Sequence, residues 1–294
     1  MRNIFSYLLL TLKGIGMGAA DVIPGVSGGT IAFLTGIYQE LIDSIKSINI
    51  KAAKLLFSGK IKAFWKHING WFLVSVLSGI LISFFSLARL MTYLMANHPI
   101  ELWAFFFGLI ISSAIYILKE IKKWNFSNIL SLAIGIGIGA TICLLSPSET
   151  PNELWFIFLS GSIAICAMIL PGISGSFILL LLGKYTYMMQ AIADFDVTII
   201  AIFAIGAAIG IVAFSHFLSW LLKKWYNIAI CVLSGFMIGS LVKVWPWQET
   251  ISEGISRPIL PSTEIWQALL FALIGIIIVF LLEFLAKSFE KQNK

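Results

Sequence analysis

The run Pro24-Gly25-Val26-Ser27-Gly28-Gly29-Thr30 is matched by Pro171-Gly172-Ile173-Ser174-Gly175-Ser176, which begins 147 residues on, half of the 294-residue length. The register holds beyond the motif. Gly14 falls on Gly161, Ala20 on Ala167, and Gly36-Ile37-Tyr38 on Gly183-Lys184-Tyr185. Two copies aligned without a gap indicate an internal duplication. Proline lacks the N–H that a helix needs, and glycine relaxes the backbone, so each half is expected to hold a helix broken at the same place. The motif pair is read as the working site.

The flanks of both motifs are apolar, and so is most of the chain. Hydrophobic residues make up 59%, charged residues 12%, and the mean hydropathy is +0.97. A soluble domain of this size carries far more charge, so the chain reads as a polytopic membrane protein. The net charge of +6 does not imply a nucleic-acid partner, because the basic residues lie between apolar segments, where they orient helices. Cys143, Cys166 and Cys231 sit inside apolar segments without CxxC spacing, and His67, His98 and His216 form no close pair. Neither a disulfide framework nor a metal site is expected, and no cofactor is implied. Residues 1–13 faintly imitate a signal peptide, but a similar pattern at 154–177 lies mid-chain, so the N-terminus is kept as structure.

The expected fold is an all-α membrane bundle of two repeats. Residues 1–147 hold a broken hairpin at 4–45 and spans at 71–96, 101–118 and 128–146. Residues 148–294 hold a hairpin at 154–193 and spans at 197–222, 227–246 and 264–286. About 20 apolar residues cross the hydrocarbon core, so the six unbroken segments qualify as spans. Residues 46–67 read as a basic loop. The hairpin arms are short enough to turn back halfway, and re-entrant hairpins are favoured over full crossings. Weaker echoes pair Gly108 and Ser113 with Gly235 and Ser240, and Gly79-Ile80 with Gly210-Ile211. Gly135, Gly137 and Gly139 are expected to serve close helix packing.

The loops give an orientation. With both termini in the cytoplasm, Arg2, Lys46, Lys51, Lys54, Lys60, Lys62, Lys66, Lys119, Lys122, Lys123, Lys223 and Lys224 all fall inside. Outer loops keep Arg257 among several acidic residues, a positive-inside pattern, and the ten tryptophans lie at segment ends as an aromatic belt. Each half then makes an odd number of crossings. The second copy is therefore expected upside down, the inverted-repeat architecture of many secondary transporters.

Backbone at membrane depth is tolerated only where protein or a water-filled cavity satisfies it. At the breaks Pro24, Gly25, Pro171 and Gly172, the helices restart with free amides. Ser27, Gly28, Gly29 and Thr30, with Ser174, Gly175 and Ser176, offer amide and hydroxyl donors suited to an anion such as phosphate or carboxylate. The competing account is helix capping, with the hydroxyls engaged by their own backbone. Arg89 and Lys184 lie inside apolar segments as candidate phosphate partners; Lys13 and Lys243 read as snorkelling anchors. Asp21, three residues before Pro24, and Glu40 are candidates for coupling or gating. Interfacial solvation explains Glu40 and Asp43 equally simply, and packing explains His216.

Gly14 to Tyr38, GIGMGAADVIPGVSGGTIAFLTGIY, together with LPGISGSFILLLLGKY, closely resembles a bacterial and archaeal membrane family long known only as a domain of unknown function. Its members are regarded as polyprenyl-phosphate transporters (PopT). The resemblance covers essentially the whole length. It implies return of undecaprenyl phosphate from the outer to the cytoplasmic leaflet, where this carrier lipid is reused for envelope polymers. Asp21, Pro24, Gly25, Ser27, Gly28, Gly29, Thr30 and Tyr38 match the first motif of the family; Pro171, Gly172, Ser174, Gly175, Gly183 and Tyr185 match the second. Met168 stands where Asp21 would align and Ser176 where Gly29 would, so the half-sites are chemically unequal.

The leading expectation is a lipid-phosphate flippase in the cytoplasmic membrane, with polyprenyl phosphate and membrane lipids as partners. Coupling to H+ or Na+ and passive exchange stay open. A carrier of small soluble anions is the nearest alternative. A lipid phosphatase is disfavoured, because no nucleophile–His–Asp arrangement is suggested by spacing. A structural or assembly role is the last alternative.

Overall fold

A computed structural model describes residues 3–21, 26–119, 121–145, 150–252 and 255–292, with the side chains at 88, 89, 92, 250–252, 255 and 282–292 excepted. Pro24 and Gly25 lie outside the described residues, and so does the side chain of Arg89.

Each motif restarts the chain as a seven-residue helix. The first hairpin comprises α1 (Ile4–Asp21), α2 (Gly28–Leu34) and α3 (Tyr38–Lys46). Two short helices follow where a loop was expected, α4 (Ile50–Phe57), capped by the Asn49 side chain, and α5 (Ile61–His67). Then come α6 (Gly70–Asn97), α7 (Pro99–Leu118), opened by a proline in its first turn, and α8 (Phe126–Leu144), capped by Asn125. The second half runs α9 (Leu154–Ile169), α10 (Gly175–Leu181), α11 (Tyr185–Ala193), α12 (Val197–Lys224), α13 (Tyr226–Ser240) and α14 (Ile265–Gln292). An antiparallel ribbon of β1 (Gln248–Ser252) and β2 (Ile255–Pro258) joins α13 to α14. The purely helical expectation missed it.

α6, α7, α8 and α12 are long and apolar enough to cross a membrane. α9, α13 and residues 265–281 of α14 are shorter apolar helices. α13 stops at Ser240, six residues before the expected end of its span, and the chain turns through residues 241–244. Outward faces are apolar: Phe85 is 79% exposed, and Leu81, Ile209 and Leu273 more than half. Water would not tolerate such a surface, and lipid does. The protein is a multi-pass membrane protein.

The hairpins turn alike. α2 is followed by Gly36 (φ 72°) and α10 by Gly183 (φ 61°), each just past the helix cap and left-handed, with Ile37 N–H donating to Ala32 O at 3.0 Å and Lys184 N–H to Leu179 O at 2.8 Å. This helix-ending turn favours glycine at that position. Beyond it the second hairpin bends by 107° between α10 and α11.

Helix crossings also recur. A β-carbon on Gly79 of α6 would lie 2.1 Å from Thr11 O of α1, and one on Gly206 of α12 would lie 2.1 Å from Phe158 O of α9. Gly79 therefore matches Gly206 in packing, and the expected match to Gly210 is corrected. Likewise Gly108 of α7 abuts Ala272 O of α14, and Gly235 of α13 abuts Leu132 O of α8. Thus α1 packs on α6 and α9 on α12 within each half, whereas α7 packs on α14 and α8 on α13 between halves. Gly135 and Gly139 serve the α8–α13 crossing; Gly137 meets nothing within 4 Å.

Candidate functional site

The two motifs meet. Helix α9 ends at the second Pro-Gly break, where its last carbonyls have no intrahelical partner. The first hairpin supplies one. Ser27 Oγ lies 3.0 Å from Met168 O and 3.1 Å from Leu170 O, and the Tyr38 hydroxyl donates to Ile169 O at 3.2 Å. In the other sense, Gly172 N–H donates to Thr30 Oγ1 at 3.0 Å. Ser27, Thr30 and Tyr38 are buried. Approach is so close that a β-carbon on Gly29 would lie 2.4 Å from Ile169 O.

At the first tip two amides are already engaged. Ser27 Oγ accepts Gly29 N–H at 3.0 Å, and Asp21 Oδ1 accepts Gly28 N–H at 2.7 Å, so a carboxylate from the preceding helix already faces the amides that restart α2. The second tip differs. Met168 replaces Asp21, Ser174 makes no side-chain cap to α10, and Ser174 Oγ and Ser176 Oγ lie 2.7 Å apart. Gly172 (φ 88°) seats this tip on α13, where a β-carbon would meet Met237 Cα, Phe236 O and Ser240 Oγ, each at 2.9 Å.

The remaining candidates are placed as follows. Lys184, 1% exposed, donates to Thr150 O at 2.8 Å and Asn152 Oδ1 at 2.5 Å, which ties the second hairpin to the connector before α9. Glu40 accepts Asn69 Nδ2 at 2.9 Å and holds α3 to the start of α6. Lys13 is half-buried and donates to Thr35 O at 2.7 Å, closing the end of α2; Lys243 is buried. Neither is a snorkelling anchor. His216 Nδ1 lies 2.9 Å from Val212 O, one turn back on its own helix. Asp43 is the centre of a polar cluster between α3 and α12: its Oδ1 accepts Ser219 Oγ at 2.7 Å and Lys223 Nζ at 2.9 Å.

Sequence reasoning set the two motifs facing each other, and they do meet, but it missed what bonds them, hydroxyls of one copy engaging backbone groups of the other. Serine and threonine in the first motif and a helix end in the second were the available signals.

Residues 17–258 match the undecaprenyl phosphate translocase-like family. A protein of Vibrio cholerae named polyprenyl-phosphate transporter is 47% identical over 247 residues, 84% of this chain and 80% of that protein. A Staphylococcus aureus protein of the same name is 34% identical over 253 residues, 80% of this chain and 85% of that one. No solved structure matches. With the family's match running through both motifs and the bundle that carries them, the chain belongs to the undecaprenyl phosphate translocase-like family.

Proposed function

We propose that this protein is a flippase. It returns undecaprenyl phosphate, or a related polyprenyl phosphate, from the outer to the cytoplasmic leaflet of the cell membrane, for reuse of the carrier lipid. It works by alternating access and performs no covalent chemistry. The observation that carries the reading is the contact between the two Pro-Gly tips, Ser27 and Thr30 on one side and Met168, Leu170 and Gly172 on the other. Such polar groups among apolar helices suit a phosphate headgroup, while the polyprenyl tail stays in lipid.

The halves are read as an inverted repeat, with re-entrant hairpins entering from opposite faces and both termini cytoplasmic. The recurring crossings at Gly79 and Gly206 support duplication, and the lysine-rich inner loops support the orientation. Ser27, Gly28, Gly29 and Thr30 line the headgroup zone from the first hairpin, and Ser174, Gly175 and Ser176 from the second. Arg89 and Lys184 are the cations that apolar segments offer to it; Lys184 would first have to release Thr150 and Asn152. Asp21 is the residue for a coupling proton, since its carboxylate holds the first tip's amide; Glu40 gates by holding α3 to α6. Sodium coupling and passive exchange are the alternative drives.

The test measures undecaprenyl phosphate exposed at the outer leaflet of cells with and without the protein, at two external pH values. Loss of the protein should raise the exposed lipid, and a pH-dependent rise assigns proton coupling. Exposure that does not change on loss, or on Ser27→Ala with Ser174→Ala, rejects the flippase. Phosphate released from the lipid by purified protein would make it a phosphatase instead.

A further inference from the structure

We infer that the helical pair α4–α5 is a binding surface for anionic phospholipid headgroups, lying in the bilayer interface where α6 begins. The inference goes beyond the transport reading and does not rest on it.

Position comes first. α6 is long and apolar enough to cross a membrane, and it starts at Gly70. α5 ends three residues earlier, and its Trp65 is pressed on that start. A β-carbon on Gly70 would lie 2.5 Å from the Trp65 indole, and the Trp65 and Trp71 rings meet edge to face at 5.6 Å. Tryptophan gathers at the headgroup level, and Trp71 is more than half exposed there. Just before α4, Lys46 Nζ donates to Ser219 Oγ near the end of α12, a second helix of spanning length. Gly59 (φ 68°) turns α4 into α5, and His67 Nε2 lies 3.4 Å from Asn49 Oδ1, which closes the pair at its base. The pair is therefore held at the level where one span begins and another ends.

Two kinds of side chain project from it. On α4, Ile50, Ala53 and Phe57 are spaced i, i+3, i+7, which sets them on one stripe, and all three are exposed, Ile50 by 77% and Phe57 by 89%. Ile61, at the start of α5, is more than half exposed. Lys51 and Lys54 on α4 stand at i, i+3, and Lys62 and Lys66 on α5 at i, i+4, so each helix gathers its lysines on one side. All four lysines are exposed, and none has a hydrogen-bond, ion-pair or ring partner among the described residues. Residues 46–67 hold six lysines and no acidic residue.

The combination selects the partner. Water alone satisfies a lysine-rich loop, but it does not favour the Ile50–Phe57 stripe. A soluble polyanion would engage the lysines and leave that stripe in water. An anionic bilayer accepts both: the apolar side chains enter the boundary of the acyl chains, and the lysines meet the lipid phosphates.

The experiment places a nitrobenzoxadiazole fluorophore on Ala53→Cys in the full chain, reconstituted in phosphatidylcholine vesicles with or without phosphatidylglycerol. Its quenching by doxyl-labelled phosphatidylcholine is read. Wild-type protein carried through the same labelling is the blank, because its three cysteines are buried or half-buried. Phosphatidylglycerol should raise the quenching several-fold over phosphatidylcholine alone. The Debye length falls to about 3 Å at about 1 M salt, so salt at that level should reverse the rise. Each lysine removed should weaken the hold about fivefold. Lys51→Gln, Lys54→Gln, Lys62→Gln and Lys66→Gln combined should therefore abolish the rise, and the four matching arginine substitutions should keep it. Both sets should fold, since these side chains hold nothing else in the protein. Equal quenching with and without phosphatidylglycerol, or a rise that survives in the glutamine set, overturns the role of anionic lipid. No quenching in either vesicle also overturns it, and binding of polyglutamate by the same protein would then identify a soluble acidic partner. None of these outcomes touches the transport reading, which stands or falls on exposure of undecaprenyl phosphate at the outer leaflet.

Discussion

Thr30 Oγ1 accepts the amide of Gly172 at 3.0 Å across 142 residues of sequence. Both partners belong to copies of one motif, and Phe177 stands where Thr30 would align, so this bond has no counterpart. Among the described residues, the first copy supplies hydroxyls and the second supplies backbone. The contact is an interlock of unequal tips, and any motion that separates them must break these bonds together.

Thr30→Val keeps the shape of the side chain and removes the acceptor, leaving Gly172 N–H buried and unpaired. An orphaned buried donor costs about 1–3 kcal/mol. Ser27→Ala similarly strips a donor from the Met168 and Leu170 carbonyls. Each variant should lower the melting temperature in detergent, with Thr30→Ser recovering most of the loss. Because the two side chains bridge the same pair of tips, their effects should not add. Additive losses would show that they act separately.

Gly29→Ala should be far worse than either. Its β-carbon would stand 2.4 Å from Ile169 O, a backbone atom that cannot swing aside. The tips must part to admit it, so folded yield and thermal stabilisation by undecaprenyl phosphate should both fall. Gly137→Ala is the control, since nothing lies within 4 Å of its β-carbon. Gly137→Ala should keep the wild-type melting temperature; if it falls as Gly29→Ala does, the close approach of the tips is not the cause.

Gln248→Leu tests the ribbon's hold on the turn that carries Lys243. It removes the amide that Lys243 O and Trp245 O accept and exchanges a polar group for an apolar one of similar size. The variant should fold, because the ribbon keeps its own ladder and the Trp245 indole still donates to Ile259 O at 2.9 Å. Its melting temperature in detergent should fall, because two carbonyls of the turn lose their donor. An unchanged melting temperature would mean that the turn holds itself.

The hairpins were legible because two periodic signals coincide there: apolar flanks give helices, and Pro-Gly at a constant offset says where each breaks. The Gly79 alignment failed for a physical reason. α4 and α5 lengthen the first half between hairpin and spans, so beyond them the offset drops from 147 to the 127 that relates Gly108 to Gly235; it carries Gly79 to Gly206, whereas Gly79-Ile80 and Gly210-Ile211 are a chance dipeptide match at offset 131. The β ribbon was hidden because Gln248–Ser252 and Ile255–Pro258 are too short for alternation to register. Lys243 was misread because, in sequence, a lysine at a span's end looks like any interfacial anchor. Folding buries it and sets the Phe177 ring of the second tip 4.8 Å from its ammonium, a contact between positions 66 residues apart. Asp21 was legible as an acid in an apolar run; its partner, the Gly28 amide, needed the bend itself.

The Asp43 cluster ties the first hairpin to the second half. Asp43 lies on α3, outside the four helices long enough to span, and Ser219 and Lys223 lie on the last turns of α12. The Asp43–Lys223 pair is half-exposed, so by itself it is worth about 0.2–1 kcal/mol. Ser219 binds both Asp43 and Lys46, at 2.7 and 3.2 Å, which makes the cluster more than a surface pair. Burial raises the Asp43 pKa, but hydrogen bonds from Ser219, Lys223 and Gln39, with the charge of Lys223, outweigh it and hold the carboxyl below its ordinary value. A depressed pKa contributes stability in full above the unfolded value of about 3.9, and that contribution is lost as pH falls through the folded one. Asp43→Asn should therefore lower the melting temperature at pH 7 and leave it closer to that of the wild type near pH 3. If α3 must leave α12 to open the inner face, Asp43→Asn should also speed equilibration of a fluorescent short-chain polyprenyl phosphate across proteoliposomes. A double-mutant cycle with Lys223→Met measures the coupling. A coupling of zero, with lipid exchange as slow as in the wild type, would reduce the cluster to solvated side chains.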